Sequence, residues 1–267
     1  MIVFTTCICF LIAVNGPIPW WAMVHTAIGV FFAGGGSLVL NQHMERELDA
    51  QMERTAGRPI PSGRISARTA LILGWVMMMG GYIYLWILVN PACSIATIVC
   101  GVSYLYMYTP MKRRTSFSSF VGAIPGGMLP IMGWVAVRNS LNFEAWVLFA
   151  ILFIWQIPHA LIISIRYRED YASAGMKQLP IITPSLTSRR QIALNVLVLM
   201  PVSLVPFYLN MTDDVYPLVA LAIGFVLFVQ VARYILKGTD ETARSAFITL
   251  TAYLPVILLA LYLDKPA

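Results

Sequence analysis

Four oxygen-bearing side chains, Asn41, Glu45, Asp49 and Glu53, recur at four-residue spacing in the stretch 41–61. On a helix that spacing puts them on one face. Like charges so placed repel, and an acidic stripe at the end of an apolar segment is destabilising unless a cation sits beside it. Arg46, Arg54 and Arg58 interleave with the stripe. Carboxylates suit a hard divalent metal, and guanidinium groups suit phosphate oxygens. The combination predicts a magnesium–diphosphate site, with Glu45 and Asp49 as carboxylate ligands, Asn41 as a neutral oxygen, and Arg54 and Arg58 on phosphate. The competing reading is a solvated helix end with internal ion pairs.

Two further stretches carry related residues. Tyr108 and Lys112 stand four apart and can share a phosphate, with Arg113 and Arg114 following; a basic triplet after an apolar run is also an ordinary membrane anchor. The stretch 166–180 repeats acids and bases: Arg166, Arg168, Glu169, Asp170 and Lys177 before Pro180. Asp170 is the candidate second metal ligand there, and Arg168 and Lys177 are candidate phosphate contacts. Gln156, Pro158 and His159 interrupt an apolar run, and polar groups in such runs face a cavity or a partner helix. His159 is either an acceptor contact or a packed, hydrogen-bonded histidine.

The elements that position these residues are membrane helices. Of 267 residues, 59% are hydrophobic and 11% charged, against about 25% charged in a soluble domain. Mean hydropathy is +0.76. Runs near twenty residues fit helices rather than alternating barrel strands. Nine segments are predicted, at 2–14, 18–40, 68–89, 91–110, 118–137, 143–165, 191–209, 215–236 and 246–263, in one all-α domain bundled around a central cavity. The first reaches only about 20 Å as a helix, short of the roughly 30 Å hydrocarbon core. It therefore either begins within the membrane or has a start upstream. It lacks a basic region and a small-residue cleavage site, so it does not read as a signal peptide.

All Lys and Arg except Arg138 and Lys265 fall in alternate connections, 41–68, 111–117, 166–190 and 233–244. That side is predicted to be cytoplasmic, with the N-terminus there and the C-terminus outside. The net charge of +6 thus reflects orientation and not nucleic-acid binding. Cys7, Cys9, Cys93 and Cys100 lie in apolar runs without zinc spacing and read as inert thiols. Trp20 and Trp21 read as an interfacial belt. Pro125, Gly126, Gly127 and Pro130 mark a helix that lines a cavity or packs closely. The stretches 41–68 and 166–190 are candidate mates in a duplicated design.

The residues Asn41, Glu45-Arg46, Asp49, Met52, Arg54-Thr55 and Arg58-Pro59 resemble the first aspartate-rich motif of the UbiA family of intramembrane prenyltransferases, in its haem-farnesylating branch. Tyr108 with Lys112 to Thr115 resembles that branch's next motif, and residues 120–134 its glycine- and proline-rich helix ending in Ile-Gly-Trp. Pro158-His159, then Glu169-Asp170-Tyr171, Ala174-Gly175 and Leu179-Pro180, resemble its later signatures. Glu45 departs from the family's aspartate, Ile157 replaces a proline, Ala160 and Leu161 replace aromatics, and a Lys-Pro pair before the first helix is absent.

The resemblance implies a magnesium-dependent transfer from farnesyl diphosphate to a vinyl group of haem B. It implies a metal set of Asn41, Glu45, Asp49 and Asp170. Arg46, Arg54, Arg58, Tyr108, Lys112, Arg113, Arg114, His159, Arg168 and Lys177 would then contact substrate. It also implies a bacterial inner-membrane location, contact with membrane lipid, and haem A synthase or terminal oxidase assembly proteins as downstream partners. Two other readings compete: the same chemistry on an aromatic quinone precursor or other lipid acceptor, and a membrane transporter or non-catalytic assembly factor.

Overall fold

The computed structural model describes residues 1–183 and 185–266. Among them every regular element is helical. Eight helices are long and apolar enough to cross a membrane: α2 (Trp20–Asp49), α4 (Ala67–Leu88), α5 (Pro91–Met111), α6 (Ser118–Arg138), α7 (Phe143–Arg166), α10 (Ser185–Tyr208), α11 (Val215–Lys237) and α12 (Asp240–Leu263). A shorter apolar helix, α1 (Ile2–Ala13), precedes them. Three short helices lie between: α3 (Glu53–Ala56), α8 (Arg168–Ser173) and α9 (Leu179–Ile182). The protein is an integral membrane helical bundle.

The nine predicted segments are all present, but several helices outrun their apolar cores. α2 continues past residue 40 to Asp49, and α12 begins at Asp240 rather than 246. At α12 the reason is local: Thr239 Oγ1 accepts from the Thr242 amide, and Asp240 and Glu241 sit in the first turn. Both features stabilise a helix N-terminus in polar surroundings.

Apolar side chains point two ways, as a bilayer requires. Ile72, Val76, Ile83 and Ile87 of α4 and Leu218 and Phe225 of α11 are exposed, where lipid replaces water. Helix α6 is the most buried of the eight spanning helices. α2 and α4 approach closely because Gly36 leaves room: a β-carbon there would lie 2.6 Å from the Gly74 carbonyl oxygen. Without a hydrophobic drive between helices in lipid, such close backbone contact supplies much of the association.

The basic connections meet at one end of the bundle. The Lys177 amide donates to the Lys112 carbonyl at 2.8 Å. Asp170 accepts from the amides of Glu53 and Arg54. Arg189 Nη1 donates to the carbonyls of Tyr234 and Ile235 at the end of α11. Met52, Ala174 and Met176 pack into a small apolar plug that joins the first and third of these connections.

Candidate functional site

Helix α2 delivers Asn41, Glu45 and Asp49 on one face, buried at 6%, 6% and 1% exposure. Glu53 does not join them. The helix ends at Asp49, and Glu53 opens α3 with an exposed side chain. The four-membered stripe expected from spacing is therefore three-membered. The turn at 50–52 breaks the register, and Thr55 Oγ1 caps the break by donating to the Asp49 carbonyl at 2.9 Å.

Each buried acid has its own cation. Arg58 Nη1 donates to both oxygens of Asp49, at 3.0 and 2.8 Å. Lys112 Nζ donates to both oxygens of Glu45, at 2.9 and 3.0 Å. Burial alone disfavours the Lys112 ammonium, but Tyr108, Glu45 and Tyr104 outweigh it and hold the group above the ordinary lysine range. Lys112 Nζ also lies 4.7 Å from the centre of the Tyr108 ring, within cation–π range.

Asn41 has a defined orientation. The Thr109 hydroxyl donates its single proton to the Tyr104 carbonyl at 2.9 Å. Its oxygen can then only accept, so the Asn41 amide nitrogen donates to it at 3.0 Å. The carbonyl oxygen of Asn41 is thereby turned away from Thr109 and is the end available to a cation. Thr109 was not among the residues singled out by spacing; its neighbour Pro110 was the available signal. Proline removes an N–H from the helical ladder, and α5 widens into a π-helix over Ser103–Tyr108. Such bulges re-aim side chains at functional sites. Here Tyr104 and Tyr108 turn inward, their ring centres 6.0 Å apart. Gly122 of α6 makes room, since a β-carbon there would meet the Tyr108 ring at 2.5 Å.

The remaining expected site residues separate into groups. Arg54 stands over the rings of Tyr167 and Tyr171, at 5.0 and 5.6 Å, and donates to the Tyr171 hydroxyl at 3.2 Å. It lies on the rim between the two charged stretches. Arg46 does not face the stripe: it pairs with Glu47 at 2.9 Å and donates to the His43 carbonyl. Arg113, Arg114 and Lys177 are exposed, as is Arg168, which reaches only the Ile181 carbonyl at 3.4 Å. Asp170 turns its two oxygens to the amides of Glu53 and Arg54, at 3.1 and 3.2 Å. Among the described residues no three His, Cys, Asp or Glu side chains converge as a metal cluster. The four-residue set with Asp170 is thus not assembled in this arrangement, because Asp170 is engaged in holding the first turn of α3.

Below this charged mouth lies a mainly apolar cavity of about 350 Å³. Tyr104 and Tyr108 line both regions. Deeper in, His159 stacks between Trp155 and Phe247, at 4.6 and 5.3 Å between ring centres. Its Nδ1 is buried without a hydrogen-bond partner, so the reading of a hydrogen-bonded packing histidine is not met at that atom. Gln156 also lines the cavity, opposite Gly126.

The donor set fits magnesium. The ion takes hard oxygen ligands and commonly binds through one or two carboxylates plus substrate phosphates. Glu45, Asp49 and the free carbonyl end of Asn41 meet that description, and the cations beside them match a diphosphate.

A family profile described as the UbiA prenyltransferase family matches residues 2–254. A protein of Solibacter usitatus (strain Ellin6076) named protoheme IX farnesyltransferase is 45% identical over 245 residues, covering 91% of this chain and 84% of that protein. One of the same name from Koribacter versatilis (strain Ellin345) is 35% identical, covering 93% and 83%. Among solved structures, one described for digeranylgeranylglyceryl phosphate synthase in membranes superposes with TM-score 0.82 at 20% identity, covering 98% of this chain and 92% of that one. A UbiA homologue from Archaeoglobus fulgidus, bound to GPP and Mg2+, superposes at TM-score 0.65 and 12% identity, covering 97% and 96%. At such identities these two establish the shared fold.

Proposed function

This chain belongs to the UbiA prenyltransferase family, and on that premise we propose that it transfers a farnesyl group from farnesyl diphosphate to a vinyl group of haem B, giving haem O. Membership of an enzyme family sets aside the transporter and assembly-factor readings. The observation that carries the proposal is the pairing of a buried acid–base mouth with an apolar cavity directly beneath it. The choice of haem as acceptor rests on the names of the relatives.

Farnesyl diphosphate would lie with its tail in the cavity and its diphosphate at the mouth. Magnesium, held by Asn41, Glu45 and Asp49, supplies neutralisation of the leaving group when bound. Arg58 uses one guanidinium nitrogen on Asp49, which leaves the others for phosphate oxygens. Lys112 stands beside Glu45, so positive charge is already in place where negative charge develops as the carbon–oxygen bond breaks. Arg54 closes the rim, positioned by Tyr167, Tyr171 and the turn that Asp170 holds. The faces of Tyr104 and Tyr108 line the route taken by the allylic cation, and an aromatic face attracts a cation. The apolar walls keep water from quenching it. Diphosphate departs as the carbon–oxygen bond breaks, the haem vinyl carbon bonds to the farnesyl carbon, water adds to the resulting haem-side cation, and one proton leaves to solvent. His159 would contact the acceptor through the part of its ring that lines the cavity. The protein would sit in the bacterial inner membrane with the mouth on the cytoplasmic side, where the basic connections gather.

The test is mass spectrometry of haems from a haem-O-deficient host expressing this chain. The expected species is haem B increased by one farnesyl and one water. Haem B alone, from cells in which the protein is folded in the membrane, contradicts the acceptor.

A further inference from the structure

A second cavity, of about 780 Å³, opens at the end of the bundle opposite the candidate site. It lies between the C-terminal ends of α1, α6 and α12 and the N-terminal end of α7. Its wall carries Arg138 and Lys265. These are the two basic residues that stand apart from the rest of the chain's Lys and Arg. Positive charge is disfavoured on that side of a membrane protein oriented this way, yet both residues face one space.

Neither has an ion-pair partner among the described residues. Glu144 also lines the wall but pairs with neither. Arg138 Nε is buried without a hydrogen-bond partner, and so is the indole nitrogen of Trp134, over whose ring the guanidinium lies at 5.9 Å. Trp134 itself is 4% exposed. Lys265 is held below the ordinary lysine range, first by burial and then by Arg138. Two like charges around one space are unfavourable until an anion arrives.

We propose that this cavity binds an oxyanion, the phosphate of an anionic phospholipid in the leaflet opposite the catalytic end. A phosphate offers several acceptor oxygens, matching a guanidinium and an ammonium together. Leu11 and Met211 line the same cavity and give the glycerol and upper acyl chain an apolar wall. Tryptophan at a membrane interface suits such a boundary. The bound headgroup ties together the ends of α1, α6 and α12, remote from the mouth.

The experiment is native mass spectrometry of the full chain released from bilayers containing phosphatidylglycerol. Wild type should retain one phosphatidylglycerol under activation that strips the remainder. Arg138→Gln combined with Lys265→Gln should lower that occupancy ratio about tenfold. Glu144→Gln, which removes the opposing charge and leaves both cations, should raise it several-fold and decides the matter if the double variant does not fold. Equal retention in wild type and the double variant overturns the proposal, as does weaker retention in Glu144→Gln. Displacement of the lipid by millimolar inorganic phosphate also overturns it and identifies a free-anion site.

Discussion

Two stretches close the same end of the bundle, and in sequence they read alike: acids, arginines and a proline turn after an apolar run. In the structure they differ. On α2 the two inward-facing acids are taken out of water, with Glu45 and Asp49 at 6% and 1% exposure and a cation on each. In the 166–180 stretch Arg168, Glu169 and Lys177 are exposed, and Asp170 serves the backbone of its counterpart. Burying a charge is costly unless it is paired, and paired burial is weak as a stabilising device. A chain that buries Glu45 and Asp49 at one mouth, each held to a cation, therefore gains something other than stability. Under the proposed function, chemistry belongs to the first stretch and positioning to the second.

The sharpest way to break that assignment is Asp49→Asn. It should lower kcat about a hundredfold or more, while Glu169→Gln, its exposed counterpart, leaves kcat within about twofold; steady-state prenyl transfer measures both. Next comes Glu45→Gln, which leaves the Lys112 ammonium buried without its counter-ion. Breaking a buried pair costs about 3–5 kcal/mol, so thermal unfolding in detergent should show a clear loss, absent in Arg168→Gln. A smaller effect is expected for Arg54→Ala on the rim: KM for farnesyl diphosphate rises about tenfold, roughly 1.4 kcal/mol of binding, with kcat changing less. The smallest belongs to Arg46→Gln. Its surface pair with Glu47 is worth about 0–1 kcal/mol, and neither KM nor kcat should move beyond twofold.

The membrane bundle was legible because apolar runs of spanning length admit few other readings. The helix ends were not, because α2 and α12 extend in polar residues that hydropathy counts as loop. The shared face of Asn41, Glu45 and Asp49 was legible from i, i+4 spacing, which failed at Glu53 because the helix stops at Asp49. Spacing also cannot see across the fold. The Lys112–Glu45 pair joins residues from α2 and the end of α5, and the Arg58–Asp49 pair depends on the turn between α2 and α3. The contacts of Asp170 are hidden for the same reason: its partners are main-chain amides of another stretch, and composition carries no sign of them. The π-helix that turns Tyr104 and Tyr108 inward leaves only Pro110 as a trace. Arg138 and Lys265 stood out as the two basic residues away from the basic connections, but only the fold shows that they share a cavity.

The most direct test is a magnesium titration of diphosphate release from farnesyl diphosphate, run side by side on wild type, Asp49→Asn and Asp170→Asn. The account predicts that Asp49→Asn raises the magnesium concentration for half-maximal rate by at least about tenfold, whereas Asp170→Asn leaves it within about twofold and raises KM for the diphosphate instead. An equal magnesium shift in both variants would contradict the account and place the metal between the two stretches.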